Sequence, residues 1–364
     1  MKYSSEEMSC GSTLRILSFN VRMDVYDVDG HKGGTGELNK LSKNRIKAVC
    51  EQVLSLEPHL VGFQEDVNNW VNNMSFGDAY DCYRPDVTHT VHTMEYCSIY
   101  VKKGITVKDS GWQWLTSDGT NATAALTYDE VIQSGKMSAE ELAVLGHTPT
   151  QNTVLKKNGL ERDRYSLAAR LMNFVVLDID GKNVIYVNTH LQHRGHNTGN
   201  YAAASDTYKL LYKLRFLERC AQMKKLERIV EILKKKYDTD KVVMTADFND
   251  QPIGLDYGTG DKNFYATVVD NGWNDCALVA KDTVDSDTWN DAFCSQDISM
   301  QGQGYEATDG NSGNDGRIDF CFVSDALKSS VEKYFVGEYR FTTSDGIRVY
   351  PSDHLTIITD VFIK

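Results

Sequence analysis

Short apolar runs rich in β-branched and aromatic residues recur along this chain of 364 residues, and this pattern constrains its fold most strongly. Such runs predict buried strands, which we place at residues 14–20, 59–65, 96–101, 172–179, 184–190, 241–247, 317–324 and 354–363. Asp180-Gly181 separates two of them and predicts a hairpin turn. Apolar residues at helical spacing predict amphipathic helices over residues 43–57 and 205–236. Strands interleaved with helices indicate an α/β fold.

Composition excludes several classes of protein. Hydrophobic residues make up 41% of the chain, enough for a packed core, yet nowhere form the run of about 18 that a membrane span needs. With 39 basic and 51 acidic residues, the net charge of −12 disfavours a broad phosphate-binding surface, although a local basic cleft is compatible with it. The first residues contain no apolar signal-peptide core, so we expect a cytoplasmic protein. The eight cysteines form no C-x-x-C pair, and we expect them to be reduced.

The organisation of the chain indicates one elaborated domain. We predict a flexible N-terminal tail over residues 1–13 and a single domain over residues 14–364. Two stretches rich in Gly, Asp, Asn and Thr, near residues 104–165 and 250–316, are predicted to be long irregular insertions. Loops of that length are usually functional or carry small extra elements.

Polar side chains lie at or just beyond the ends of the predicted strands. Such groups converge on a common crevice in open α/β sheets; here they are Asn20, Glu65, His190, Asp247, Asn249, Asp353 and His354, with Asp319 inside a further strand. Carboxylate and amide oxygens suit Mg²⁺ or Mn²⁺ better than zinc. A divalent ion beside His and Asn donors can stabilise charge on a phosphoryl group and activate water.

Each of these residues also has an ordinary structural explanation when it is taken alone. Asn20 could bond a turn backbone, and Asp247 and Asn249 resemble residues of Asx turns. A lone His190 is more often a hydrogen-bonded interior histidine. Their joint order along the chain therefore carries the functional interpretation.

The ordered series FN, QE, NTHL, DFN, RIDF and SDH resembles the endonuclease/exonuclease/phosphatase superfamily, which has the deoxyribonuclease I-like fold. The resemblance spans residues 14–363. The Y-P-S-D-H run at residues 350–354, with NTHL before a long helix, is similar to bacterial members. The resemblance implies a four-layer α-β-β-α sandwich of two mixed β-sheets flanked by helices.

The resemblance also implies a metal site. Glu65 would be the principal ligand of Mg²⁺, or of Mn²⁺ in its place, assisted by Asn20 and by Asp353 directly or through water. Arg22 stands where members similar to AP endonucleases carry an acid, so a second carboxylate on that side is missing.

The remaining roles that the resemblance implies belong to the reacting phosphate and water. His354 would pair with Asp319, and Asp247 would orient or deprotonate the attacking water. Asn249 and His190 would contact phosphate oxygens. The sequence leaves open whether Asp247 or His354 takes the proton.

Other polar and aromatic residues have two interpretations each. Arg164 and Arg170 could bind a substrate phosphate, or could be surface charges or salt-bridge partners. His193 and His196 could contact substrate, but a solvated polar loop is the favoured interpretation. Trp112 and Trp114 could line a pocket, or could lie on one face of a strand.

The sequence therefore predicts a phosphoric ester hydrolase that acts on a small-molecule or lipid-derived phosphodiester. The acidic balance, and the lack of aromatic residues interleaved with Lys and Arg, favour a bounded pocket. An endonuclease or exonuclease acting on DNA or RNA is the alternative. A non-catalytic binding protein of the same fold is the third hypothesis, and it predicts a replaced site residue.

Overall fold

The structure is a computed structural model that describes residues 13–22, 40–85, 95–115, 126–145, 170–193, 205–250, 263–283, 317–337, 341–349, 351–352 and 354–364. The strands in these ranges are β1 Thr13–Asn20, β2 Leu60–Gln64, β3 Tyr80–Tyr83, β4 Ile99–Lys102, β5 Thr106–Trp114, β6 Leu171–Ile179, β7 Lys182–His190, β8 Val242–Asp247, β9 Trp273–Asp275, β10 Asp282–Thr283, β11 Asp319–Ser324, β12 Val331–Val336, β13 Phe341–Thr342, β14 Arg348–Val349 and β15 Ile357–Phe362. The helices are α1 Lys40–Leu56, α2 Asn68–Asn73, α3 Tyr128–Gln133, α4 Ala139–Val144, α5 Asp206–Tyr237, α6 Phe264–Asp270 and α7 Cys276–Val279, with a 3-10 helix at Asp325–Ser330.

The strands form two large mixed sheets. The first has the order β10-β12-β15-β1-β2-β4-β3 and the second the order β5-β6-β7-β8-β11-β9, while β13 and β14 pair separately. In the first sheet β1 is parallel to β2 and antiparallel to β15. In the second, β7 is parallel to β8 and antiparallel to β6.

Three apolar clusters hold these elements in four layers. One cluster joins the facing sides of the two sheets, for example Ile16 and Leu60 of the first sheet with Val243 of the second. Another packs α1 against the outer face of the first sheet, and the third packs α5 against the outer face of the second. The predicted α-β-β-α sandwich of two mixed sheets is confirmed.

Most of the predicted strands and both predicted helices are present. The Asp180-Gly181 turn joins β6 to β7, with φ of 52° and 80° at its two residues. Positive φ at both central positions is the geometry of the type I′ turn that this dipeptide predicts. The helix predicted over residues 43–57 begins three residues earlier, at Lys40. The predicted tail over residues 1–13 lies outside the described residues except for Thr13, which begins β1.

The stretches near 104–165 and 250–316, predicted to be long insertions that are functional or carry small extra elements, contain such elements in the parts that the structure describes. The first stretch contains the nine-residue strand β5 and the helices α3 and α4, and the second contains α6, β9, α7 and β10. β5 was missed because it is a polar edge strand whose residues alternate in exposure without an apolar run. α3 and α4 are six residues long, but each begins with a capping box, at Thr127 and Ser138, which the sequence displays.

A buried polar network links the two sheets below the ends of their strands. The amide nitrogen of Asn188 on β7 donates to the carbonyl of Phe63 on β2 at 2.7 Å. Its Oδ1 accepts from Gln64 Nε2 at 2.7 Å and from Thr245 Oγ1 at 3.0 Å. These bonds fix the position of one sheet relative to the other, and hence of the residues that follow β2, β7 and β8.

Replacing Gly62 by alanine is expected to lower the free energy of unfolding by about 1–3 kcal/mol through overpacking between the sheets. A Cβ at this position would lie 2.5 Å from both Thr245 Oγ1 and Tyr186 Oη and 2.6 Å from Asn188 Oδ1. Urea denaturation measures the effect. The comparison is Gly111→Ala on edge strand β5, where the Cβ meets the ring of Phe174 at 2.9 Å and the ring can shift. A Gly62→Ala protein as stable as wild type would contradict the expectation.

Candidate active site

The predicted polar residues meet at one edge of the sandwich. β1, β2, β7 and β8 all end there, and β11 and the chain entering β15 begin there because they run antiparallel to β8 and β1. Asp247 pairs with His190 on one side and with Asp319 on the other. The structure therefore brings together seven of the predicted residues: Asn20, Glu65, His190, Asp247, Asn249, Asp319 and His354.

Asn20 joins carboxylates from the two sheets. Its fully buried amide nitrogen donates to Glu65 Oε1 at 3.1 Å and to Asp247 Oδ2 at 2.9 Å. Its Oδ1 accepts from the backbone N–H of Arg22 at 2.9 Å. Glu65 and Arg22 adopt left-handed backbone conformations, with φ of 59° and 53°, directly after their strands. One amide thus orients two acidic groups toward the same space.

His354 is held by a buried carboxylate. Its Nδ1 lies 2.8 Å from Asp319 Oδ2, and its Nε2 lies 4.0 Å from Asp247 Oδ2. The Asp319 carboxylate accepts a hydrogen bond from the Nδ1–H group of His354, which leaves Nε2 as the reactive nitrogen. Ser352 Oγ accepts from the backbone N–H of His354 at 3.1 Å and donates to the carbonyl of Asn20 at 2.6 Å. This serine ties the loop before β15 to the end of β1.

His190 is held by a second carboxylate, Glu95, which the sequence analysis missed. Glu95 Oε2 accepts from His190 Nδ1 at 2.7 Å and from the backbone N–H of Glu65 at 2.7 Å, while its Oε1 pairs with Arg170. Burial favours a higher pKa for Glu95, but the charges of His190 and Arg170 lower its pKa to about 2. Arg170 is 6% exposed and forms a salt bridge with Glu95, one of the interpretations that the sequence offered; its contact with a substrate phosphate stays a prediction.

The direction of β4 brings Glu95 to the site. This residue precedes the run that forms β4, and β4 is antiparallel to β2, so the residues before β4 lie where β2 ends. Glu95 was missed because the direction of β4, and hence the edge of the sheet at which β4 begins, is not visible in a single sequence.

The other ring nitrogen of His190 faces two partners. Nε2 lies 2.6 Å from Asn249 Nδ2 and 3.3 Å from Asp247 Oδ2. A neutral ring accepts from the Asn249 amide, and a protonated ring donates to Asp247. Burial and Arg170 lower the pKa of His190, but Glu95 and Asp247 outweigh them, and the net pKa is raised. His190 is therefore suited to donate a proton or hydrogen bond to an anion.

Asp247 lies at the centre of the constellation. Its pKa is raised, mainly by burial and also by Asp319, against the opposing charges of His190 and His354. Its Oδ1 accepts from the backbone N–H of Asn249 at 2.7 Å, and Asn249 has a left-handed φ of 52°.

The sequence pattern of the Endonuclease/Exonuclease/phosphatase family matches residues 17–354, nearly the whole chain. The chain belongs to this family. Members of the family are phosphoesterases and nucleases. Among curated proteins, none matches the sequence.

Solved structures of the family share the fold at low sequence identity. An endonuclease/exonuclease/phosphatase from Bacteroides vulgatus is 18% identical with a TM-score of 0.58, over 97% of this chain and 100% of that one. A mannosyl-6-phosphatase from Bacteroides thetaiotaomicron is 15% identical with a TM-score of 0.56, over 96% and 100%. Truncated TDP2 from Caenorhabditis elegans is 16% identical with a TM-score of 0.52, over 96% and 98%.

The donors at this edge fit the divalent metal that enzymes of the family generally use. Glu65 offers carboxylate oxygens near Asp247, with both acids bound by the amide nitrogen of Asn20, and Asp247, Asp319 and His354 place ligand atoms within 4.8 Å of one another. Oxygen-rich donor sets with a single imidazole suit Mg²⁺ or Mn²⁺. A divalent ion would also offset the carboxylates that are buried together here.

Three residues singled out in the sequence, Asp353, Arg164 and His196, lie outside the described residues. Trp112 and Trp114 lie on β5, where strand alternation places both on one face, with ring centroids 5.4 Å apart in an edge-to-face contact. No helix in the described ranges is long and apolar enough to cross a membrane.

A buried polar stripe on α5 supports the site from behind. Arg215, Glu218, Arg219 and Gln222 follow helical spacing and are each at most 1% exposed. Arg219 donates to the carbonyl of Gln192 at 3.2 Å and to Asp250 Oδ2 at 2.7 Å. One guanidinium therefore links the segment after His190 to the segment after Asn249.

Replacing Arg219 by glutamine is expected to destabilise the protein by about 3 kcal/mol, because it leaves Asp250 buried without its cation. We expect phosphoester hydrolysis to fall as well, since the segments that carry His190 and Asn249 lose a shared anchor. Denaturation and kcat/KM measure the two effects. Arg228→Gln, at an exposed position of the same helix, is the matched control and is expected to change neither. Equal stabilities of the two variants would contradict this expectation.

Proposed function

We propose that this family member is a divalent-metal-dependent phosphoesterase that hydrolyses a phosphodiester of a small molecule or lipid by in-line attack of water. One observation carries the proposal: two imidazoles, His354 and His190, are each oriented by a buried carboxylate and face the same third carboxylate, Asp247. A histidine that serves packing alone does not need a buried carboxylate to orient it. Two histidine–carboxylate pairs that face one acid therefore support a catalytic role.

Glu65 would hold the ion, assisted by Asp353 directly or through water and by Asn20 through Oδ1, once the amide that donates to Glu65 and Asp247 is turned. A divalent ion held there would polarise a phosphoryl oxygen and neutralise developing negative charge. The chain's own residues bind the substrate, orient the attacking water and transfer its proton. Asp247 orients the attacking water through Oδ2, the oxygen that faces both imidazoles.

His190 and Asn249 stabilise the phosphoryl oxygens. Glu95 favours the protonated form of His190, whose Nε2–H can donate to a phosphate oxygen. A protonated Nε2 no longer accepts from Asn249 Nδ2, so the amide is then released to donate to a phosphate oxygen as well. Preorganised donors of this kind stabilise charge that develops in the transition state. Asp247 and His354 both remain candidates for the general base, since each can accept the proton of the attacking water.

A bounded pocket for a small substrate is favoured over a nucleic-acid groove by the net charge of −12. A nuclease acting on DNA or RNA is the alternative outcome of the test. The binding-protein hypothesis predicts a replaced site residue, and Glu65, His190, Asp247, Asn249 and His354 are all present.

Hydrolysis of bis(p-nitrophenyl) phosphate and of p-nitrophenyl phosphate tests the proposal, with Mg²⁺, Mn²⁺ or EDTA. We expect diester cleavage that EDTA abolishes and that His354→Ala reduces by roughly 10²- to 10⁴-fold, the usual contribution of general acid–base catalysis. Asp78→Asn, at an exposed carboxylate, is the control. Monoester cleavage alone would replace the diesterase with a phosphatase. Loss of activity on these esters and on a panel of nucleic acids and phospholipids, from folded protein, would favour the binding protein.

A further inference from the structure

Two tryptophans on the edge strand β5 face the space between the two sheets. Trp112 pairs with Asn173 on β6, and Asn173 pairs with Asn188 on β7. Directly opposed residues of neighbouring antiparallel strands project from the same face of a sheet. Asn188 donates to the carbonyl of Phe63 in the first sheet, so this face is the inner one. Trp114 follows Trp112 by two residues and therefore projects from the same face.

Trp114 lies in line with the reacting groups of the candidate site. β5 and β7 are both antiparallel to β6, and the row across the sheet that contains Trp112 also contains Asn188. The corresponding row two residues nearer the site contains Trp114 and His190, and it continues to Asp247 on β8. Neighbouring strands lie about 4.8 Å apart, so the backbone of Trp114, two strands away, lies about 10 Å from that of His190. An organic group esterified to a phosphate at His190 can therefore reach the two indole rings.

Both indole rings are available to a ligand. Trp112 and Trp114 are each partly exposed, whereas the fully exposed residues of β5 are all polar. Within the ranges that the structure describes, the only ring contact of each is with the other, and neither indole nitrogen forms a hydrogen bond. The contact is edge to face, so it covers the face of one ring only. Adjacent exposed aromatic rings mark a binding site more often than an isolated ring does.

The strand that carries these rings is fixed to the site. β5 pairs with β6 as far as Trp114, and beyond it the N–H of Leu115 donates to the carbonyl of Arg170 at 2.8 Å. Arg170 in turn pairs with Glu95, the carboxylate that orients His190. Aromatic rings on a paired strand lose little conformational freedom when a ligand binds, which favours a specific contact.

We propose that Trp112 and Trp114 bind an aromatic ring in one alcohol of the phosphodiester, so that the preferred substrate is a small diester with an aryl or nucleoside group. This inference rests on the proposed function for the phosphate that reacts. Aromatic rings in offset-stacked or edge-to-face contact attract one another beyond the effect of the apolar area that they bury. The bound ring does not react, and the two tryptophans are specificity determinants.

Binding of two matched diesters tests the aromatic site without turnover. Dibenzyl phosphate and bis(cyclohexylmethyl) phosphate have the same charge and a similar size, and only the first has aromatic rings. We measure their binding by calorimetry with Mg²⁺, in the His354→Ala protein, in which hydrolysis is slow. Dibenzyl phosphate is expected to bind roughly three- to tenfold more tightly.

Three variants in this background assign the preference to the tryptophans. Trp112→Leu/Trp114→Leu is expected to bind the two diesters equally, whereas Trp112→Phe/Trp114→Phe keeps two aromatic faces and is expected to retain a preference. Gln113→Leu, on the opposite face of β5, is the control and is expected to retain it in full. Equal binding of the two diesters before substitution, binding of neither, or a preference that the double leucine variant keeps would overturn the inference.

Two mixed diesters identify the ring. Benzyl methyl phosphate and thymidine 5′-methyl phosphate each carry a single ring, from an aryl alcohol or from a nucleobase. The one that binds more tightly, by an amount that the double leucine variant loses, identifies the source of the ring.

Hydrolysis of the two matched diesters separates this inference from the proposed function. With His354 retained, the ratio of their kcat/KM values is expected to exceed the ratio in the double leucine variant by roughly three- to tenfold. If no diester is cleaved, bis(p-nitrophenyl) phosphate included, but the binding preference depends on the tryptophans, the proposed function fails and the aromatic site stands. If diesters are cleaved with a ratio that the double leucine variant leaves unchanged, the inference fails and the proposed function stands.

Discussion

Asp247→Asn is expected to reduce kcat/KM for phosphoester hydrolysis by roughly 10³-fold or more, as replacement of a central catalytic group does. The amide retains one acceptor oxygen for the backbone N–H of Asn249, which Asp247 Oδ1 accepts at 2.7 Å. An amide nitrogen in place of Oδ2 would oppose the donors of Asn20 and of protonated His190, and it cannot take a proton from water. The measurement is steady-state kinetics with the substrate that the ester panel identifies.

The same substitution is expected to raise the melting temperature at neutral pH, because removal of a charge that burial and Asp319 disfavour outweighs the unfavourable contact of the new amide nitrogen with Asn20. Burial raises the pKa of Asp247, so its ionised form is less favourable in the folded state than in the unfolded state. The stability associated with this group is present at low pH and is lost as pH rises through its folded-state pKa. Removing the charge restores that stability, an example of a site that favours function over stability. Asp78→Asn is the control, and a loss of activity below about tenfold would contradict the assigned role.

Glu95→Gln is expected to have the largest effect on stability, lowering the free energy of unfolding at neutral pH by about 3–5 kcal/mol. The carboxylate is 4% exposed and accepts from Arg170, from His190 and from the backbone N–H of Glu65. Glutamine leaves Arg170 buried without its anion. Its amide nitrogen would also face one of the three groups that donate to the Glu95 carboxylate. Activity is expected to fall too, because His190 loses the carboxylate that fixes its tautomer and favours its protonated form.

The double variant Glu95→Gln/Arg170→Met separates these two effects. Removing both members of a buried pair is often far less costly than removing one, so we expect the double variant to recover most of the lost stability. It is not expected to recover activity, since His190 still lacks its carboxylate. Urea denaturation and kcat/KM on the four proteins of the cycle make the comparison. Recovery of activity in the double variant would show that Glu95 acts through Arg170 and not through His190.

The pH dependence of the unfolding free energy tests the role of the Glu95 carboxylate independently. The charges of His190 and Arg170 outweigh burial and lower the pKa of Glu95 from 4.5 to about 2 in the folded state. A lowered carboxyl pKa stabilises the protein above the unfolded value and loses that contribution as pH falls. The difference in unfolding free energy between wild type and Glu95→Gln is therefore expected to be full above pH 4.5 and to shrink toward pH 2. A difference that does not change over this interval would contradict the assignment.

Part of the fold was visible in the sequence because its signals are local. The apolar run that ends at Asn20, the Asp180-Gly181 turn and the helical spacing over residues 205–236 each depend on neighbours in the chain. The capping boxes at Thr127 and Ser138 are equally local and could have been found. The edge strand β5 was indicated only at Trp112 and Trp114, because its other residues are mostly polar and lack the apolar face that marks a buried strand.

The candidate site, like the fold, was predictable from the sequence only in part. Residue types at strand ends were sufficient to indicate an oxygen-rich, histidine-containing site, because chemistry follows from residue type and strand ends share an edge. The direction of β4, which brings Glu95 to His190, depends on its pairing with β2 and has no local signal. The same holds for Arg219, whose partners lie 27 and 31 residues away. Residue types along the chain therefore specify which chemical groups this protein can use, whereas the pairing of each carboxylate with its cation follows from the fold, because it depends on contacts between distant segments.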